Sequence, residues 1–218
     1  MQWAVLSGDI VDSSAMTAEA LDAVIQDLQD ISQECTLWGN TGGSEILTGF
    51  ARRGGDGWQI AVNRPALALR LALYIKARLR RMSPDYSTRL AAATGAGELP
   101  TSASPETPGN APFADLNSAH GAAFMSSGRL LETLSGDTLM AHAGGGALHG
   151  AFRLADHVSQ GWTQSQARSL CHMLPPGAGP RRVAAERIGI SRQAVDQALG
   201  SAGYPAIMDA IEAIEEAR

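Results

Sequence analysis

The stretch Arg52-Arg53-Gly54-Gly55-Asp56-Gly57 constrains this chain more than any other. Its three glycines in four positions give the backbone the freedom that a tight reversal needs, and an acid sits at the tip. The apolar runs on either side, residues 45–51 and 58–62, are of strand length, so the sequence predicts a hairpin here. A lone hairpin is marginal in water and needs further strands to bury its apolar face. Residues 2–9 supply one: Trp3, Ala4, Val5 and Leu6 form a short buried run ending at Gly8-Asp9. Residues 87–94 supply another.

Two helical patterns separate these strands. Thr17 caps the first, in which Leu21, Val24, Ile25, Leu28 and Ile31 recur at helical spacing. Pro65 opens the second, with Leu67, Leu71, Tyr74, Ile75, Ala77 and Leu79 on a wide apolar face. The order is β-α-β-β-α-β. That predicts an α+β fold of ferredoxin-like order, an antiparallel sheet with helices on one face. Residues 120–134 read as a third helix and 138–142 as a short strand, before Gly144-Gly145-Gly146 breaks the pattern. Residues 38–44 and 100–112, rich in small and turn-forming residues, read as surface loops.

With 44% apolar residues the chain can bury a core. Its longest apolar stretches are interrupted by arginine, so no membrane-spanning segment is expected. The N-terminus lacks a basic region and carries Asp9 and Asp12, unlike a signal peptide. Cys35 and Cys171 lie far apart. Together these features predict a cytoplasmic protein with free thiols, no disulfide and no zinc site. Cys171-His172 reads as an ordinary helix pair.

The net charge of −5 excludes a globally basic nucleic-acid binder. The distribution is uneven, because residues 161–200 hold five basic and two acidic side chains while the flanking stretches are acidic. Only short helices are expected there: 163–174, 181–188, 192–200 and 205–216. The sequence therefore divides into an α+β domain over 1–148, a linker helix over 149–162 and a small all-α domain over 163–218.

Residues 183–199 carry the spacing of a helix-turn-helix. Ala185 is small where two helices touch, Gly189 suits the turn, and Val195 locks the second helix onto the first. Ser191 caps that second helix and can also bond a phosphate. Arg192, Gln193 and Gln197 project from its early turns, where a recognition helix meets base edges, and Arg181 and Arg182 suit the phosphate backbone. The stretch resembles the helix-turn-helix of sigma-factor and response-regulator type, which implies duplex DNA as a partner. A tri-helix of this kind also serves as a protein contact.

In a β-α-β-β sheet the first strand lies beside the hairpin, so Asp9 and Asp56 are expected to converge. Paired carboxylates beside glycine-rich backbone suit a hard divalent cation and the phosphates it carries. Asp is also common in such turns, and at strand ends, for backbone reasons alone. Three blocks, Gly8 to Ser14, Gly55-Asp56-Gly57-Trp58 and Arg89 to Glu98, resemble the metal strand, the metal hairpin and a further motif strand of the class III nucleotidyl cyclases and of palm domains more broadly. A fourth, Gly121 to Leu130, is similar to a cyclase helix. The whole arrangement, C-terminal helices included, resembles the SatD family of small bacterial proteins.

The resemblance implies Mg²⁺ or Mn²⁺ at Asp9 and Asp56. It implies a triphosphate cradled by Ile10, Val11, Asp12, Ser13 and Ser14, and a catalytic Arg129 that reaches the partner subunit's site in a homodimer. Two positions depart. The ribose-orienting Asn is Met125, and the base-reading Lys is Arg52. A nucleotide-sensing DNA-binding regulator, an active nucleotidyl cyclase or related enzyme, and a scaffold for protein contacts are the readings that follow. Glu98, Arg78, Arg80 and Arg81 read as solvated, His120 and His142 as surface or core residues rather than ligands, and the four tryptophans as core.

Overall fold

Five strands pair into one sheet of order β2-β3-β1-β4-β5 in the computed structural model, which describes residues 1–39, 45–99 and 116–217. These are β1 (Gln2–Ile10), β2 (Thr48–Arg53), β3 (Gly57–Val62), β4 (Thr88–Ala96) and β5 (Met140–His142). The predicted 100–112 loop, and residues 40–44 of the 38–44 loop, lie outside the described residues. All neighbours pair antiparallel except β4 and β5, which are parallel. The sheet is thus mixed rather than purely antiparallel. β2 also begins later than expected and takes in Arg52 and Arg53, which pair with Trp58 and Gly57. Only residues 54–56 remain in the turn.

Along β1 the side chains alternate between two faces. Ala4, Leu6 and Ile10 join a core with α1 (Ala18–Thr36) and α2 (Ala68–Met82). Trp3 and Val5 face the other way, against Phe124 and Ala123 of α3 (Ala122–Thr133). Helices therefore cover both faces, not one. The reason is the sequence of the second face, where Trp3, Val5, Ala51 and Ala61 are apolar and need cover.

α1 begins where expected, with the Thr17 hydroxyl accepting from the Ala20 N–H at 3.2 Å. α2 is buried at every residue from Ala68 to Leu79. Behind it pack α4 (Gly146–Gln160), α5 (Gln164–Met173) and α8 (Tyr204–Glu216), with α6 (Arg181–Ile188) and α7 (Arg192–Ser201) beyond. One apolar cluster runs from β1 through α2 to Phe152, Trp162, Leu170, Val195, Leu199 and Ile211. It is continuous across residues 148 and 163. All four tryptophans belong to buried clusters.

Burying α2 on all sides also buries its cations. Arg78, expected in solvent, is 7% exposed. It is held by Asp27 and Glu34 and lies over the Tyr74 ring. Arg70 is clamped bidentately by Glu215 and donates to the Leu174 carbonyl. Lys76 is buried 3.8 Å from Asp156, and burial pushes its ammonium down to about 8.

Two outcomes follow. A Cβ at Gly8 would lie 2.4 Å from the Trp58 ring and 2.5 Å from the Arg89 carbonyl, whereas one at Gly55 meets nothing. Gly8→Ala should lower the urea midpoint by an amount equivalent to about 1–3 kcal/mol, and Gly55→Ala should leave it within about 0.5 kcal/mol. His142 is buried, and burial, then the nearby His149, pushes its pKa down to about 4. The unfolded chain thus takes up this proton first, so His142 costs stability as pH falls from about 6.5 to 4. The loss is on the order of 3 kcal/mol. His142→Gln, measured by urea unfolding across that window, should remove this component.

Candidate functional site

The rim of the sheet is set by strand register. Asp9 lies opposite Gly57 on one side and Arg89 on the other, and Gly57 in turn lies opposite Arg53. The row across the rim thus reads Arg53, Gly57, Asp9, Arg89, all on the α3 face. Gly57 has no side chain, and a Cβ there would lie 2.4 Å from the Arg53 carbonyl oxygen. Asp56 precedes Gly57 in the turn, and its carbonyl accepts from the Ile10 N–H at 3.3 Å. The structure thus brings Asp9, near the end of β1, and Asp56, in the turn before β3, to one rim.

Their carboxylates have different partners. Arg89 grips both oxygens of Asp9, through Nε at 2.8 Å and Nη2 at 2.6 Å, and also donates to the Leu134 carbonyl at the end of α3. Asp56 accepts from the Ser13 hydroxyl at 2.5 Å. The hydrogen bonds it donates to Asp9 hold the Arg89 guanidinium above its usual range, and the charges of Asp9 and Asp56 both add to this. Arg89 therefore sits in the field of both acids.

The donors at the rim are hard oxygens, which fit Mg²⁺ or Mn²⁺ and suit no soft metal. Among the described residues no group of three or more His, Cys, Asp or Glu side chains is placed to hold a metal. A cation at Asp9 and Asp56 would thus complete its shell from water and ligand oxygens, as Mg²⁺ commonly does. Arg89 already acts as the counter-charge at Asp9.

Of the cradle residues, Ile10 and Val11 have their N–H groups engaged by the Asp56 and Ser87 carbonyls. Asp12 takes a left-handed conformation (φ 53°) and leads into a 3₁₀ turn over Ser13–Ala15. A left-handed residue entering such a turn concentrates N–H groups in a small concavity.

Arg52 points to the opposite face from Asp9. It pairs with Asp22 of α1 at 2.8 Å and donates to the Gly55 carbonyl. Arg53, one residue on, shares the face of Asp9 and is anchored by Gln59, Leu116 and Asn117. Arg129 and Met125 are exposed on α3, which turns Phe124 and Ser127 toward the sheet. Ser127 meets Ser7 at 2.9 Å.

In the C-terminal helices, Ala185, Val195 and Leu199 are buried between α5, α6 and α7. Gly189 ends α6 in a left-handed conformation (φ 78°), and the Ser191 hydroxyl caps α7 by accepting from the Ala194 N–H. Ser191, Arg192, Gln193 and Gln197 are exposed. Arg181 bonds Asp196 at 2.8 Å, Arg192 lies 3.5 Å from the same carboxylate, and Arg182 pairs with Glu186 one turn on. Two arginines thus share Asp196, one from α6 and one from α7 itself.

Sequence reasoning gave Arg89 no role, and the structure puts it at the centre of the site. Its signals are its place at the head of the Arg89 to Glu98 block and its parity. Leu90 belongs to the α1 and α2 core, so Arg89 must face the other way, as Asp9 does. Compared with known proteins, the chain matches no family model and no curated protein.

Because Arg89 and a divalent cation would use the same two oxygens, they compete. Arg89→Gln should tighten Mn²⁺ binding about tenfold or more, measured by electron paramagnetic resonance of free Mn²⁺, and Asp9→Asn should abolish it. Identical affinity in wild type and Arg89→Gln would show that the cation does not replace Arg89.

Proposed function

We propose that the protein is a nucleotide-sensing, DNA-binding regulator. Its α+β part takes a nucleoside triphosphate carried by Mg²⁺ or Mn²⁺, and α6 and α7 act as a helix-turn-helix on duplex DNA. The observation that carries the reading is the register of β1 with β3, which sets Asp9 opposite Gly57 and so beside Asp56. The order β4-β1-β3-β2, with helices between, supports a ferredoxin-like, palm-type arrangement of the cyclase kind, to which β5 adds an edge strand.

The helix-turn-helix half draws on the left-handed Gly189 and on the exposed Arg192, Gln193 and Gln197. Asp9 and Asp56 hold the cation, Asp12, Ser13 and Ser14 offer N–H groups to the phosphates, and Arg181, Arg182 and Ser191 contact the DNA backbone. A cytoplasmic homodimer suits both halves, since paired half-sites are read by two-fold partners and Arg129 would reach a neighbouring subunit's site. No helix among the described residues is long and apolar enough to cross a membrane.

Binding is favoured over turnover. Met125, where the resemblance wants an amide to orient a ribose, is 56% exposed and carries no hydrogen-bonding group. Arg89 also neutralises Asp9 in the absence of any cation.

The test is duplex binding measured against salt, with and without each nucleoside triphosphate and Mg²⁺. Affinity should fall steeply with salt, Arg192→Ala should weaken it by about 1–3 kcal/mol, and one triphosphate should shift it several-fold. Salt-independent binding, or the same affinity with and without every triphosphate, would contradict the proposal.

A further inference from the structure

A second polar cleft opens where the sheet-bound helices meet the C-terminal ones. It encloses about 610 Å³, enough for a small metabolite. Glu34 of α1 and Tyr74, Arg78 and Arg81 of α2 form one wall. His172 of α5, the Pro175-Pro176-Gly177 turn and Arg187 of α6 form the other.

Charge in this cleft is unbalanced. Arg78 is committed to Asp27 and Glu34, through bonds of 2.5 to 3.2 Å. The Arg81 side chain is 39% exposed and lies 3.7 Å from Asp27, both of whose oxygens Arg78 already holds. Arg187 is exposed and makes no ion pair among the described residues. Two acids thus face three arginines. The imidazole between them registers the excess: burial lowers the His172 pKa, and the charges of Arg187 and Arg81 lower it further. Arg81, His172 and Arg187 line this one cleft, although the two arginines come from helices more than a hundred residues apart.

We propose that this cleft binds a compact phosphorylated anion, with Arg81 and Arg187 as its two cationic jaws. A phosphoryl group between them would relieve the mutual repulsion of the arginines and form charge-assisted hydrogen bonds to both. Arg187 belongs to α6, which packs on α7, while Arg81 belongs to α2. The ligand would therefore tie the α6–α7 pair to the sheet-bound helices. The site needs no metal and goes beyond the nucleotide reading of the rim.

Pyrophosphate in the presence of a chelator is the probe, since without a divalent ion the rim site has no cation to recruit it. Isothermal titration should show saturable binding, one per chain. Arg81→Gln and Arg187→Gln should each weaken it tenfold or more, while Asp9→Asn leaves it unchanged. The His172 ring-proton signals in NMR should titrate at higher pH once pyrophosphate is bound, because the added negative charge favours the imidazolium. Arg187 is exposed, and Arg81 is half-buried with only a 3.7 Å approach to Asp27, so their replacement should leave the urea midpoint near that of wild type. Absence of saturable binding, unchanged affinity in both arginine variants, or an unmoved His172 titration would overturn the assignment. Loss of binding in Asp9→Asn would also overturn it, by moving the site to the rim.

Discussion

β1 is hydrogen-bonded along both edges, and every feature at the rim depends on that. A slip of one residue against β3 or β4 would turn Asp9 toward α1 and α2 and bury its charge among leucines. The register is held from beneath by Trp58. Its indole covers Gly8, and its N–H donates to the Thr88 hydroxyl at 3.0 Å. Thr88 in turn donates to the Asp9 carbonyl at 2.6 Å. An apolar ring in the core thus ties β3, β1 and β4 together one residue before the carboxylate. The glycine that admits the ring is part of the same device.

α2 does for the whole chain what β1 does for the sheet. It packs on β1 and β4 with one side and on α4, α5 and α8 with the other. Its cations hold distant elements together, Arg70 to Glu215 of α8 and Arg78 to Asp27 and Glu34 of α1. Burying so many charges is tolerable only because each has a partner, and removing one partner would leave a charge stranded. A ligand that shifts α2 against α5 or α6 therefore has a short physical route to α7. In the proposed regulator that route would link the two halves.

Much of this was legible in the chain. Thr17 and Ser191 each cap a helix as read, and Gly189 takes the left-handed turn that its place between two helices demands. These are local features, decided within a few residues. What escaped the sequence was decided by residues far away. Arg78 looks like a solvated helix end until α1 supplies its acids. Arg52 looks like a turn residue until β2 runs through it and sets it beside Asp22 of α1, thirty positions earlier. The Asp9–Arg89 pair spans 80 positions and exists only through the register of β1 on β4. The cover on the second face came from α3, whose amphipathic pattern is compatible with either face of the sheet.

The central claim is that the Asp9 and Asp56 rim takes a cation with a triphosphate. Crystals grown with Mn²⁺ and a non-hydrolysable nucleoside triphosphate test it most directly, by anomalous scattering at the manganese edge. The account predicts a peak between the two carboxylates, with the Arg89 guanidinium withdrawn from Asp9 and the phosphates against Asp12 to Ser14. A map that leaves Arg89 bonded to Asp9, with no manganese at either acid, would contradict it.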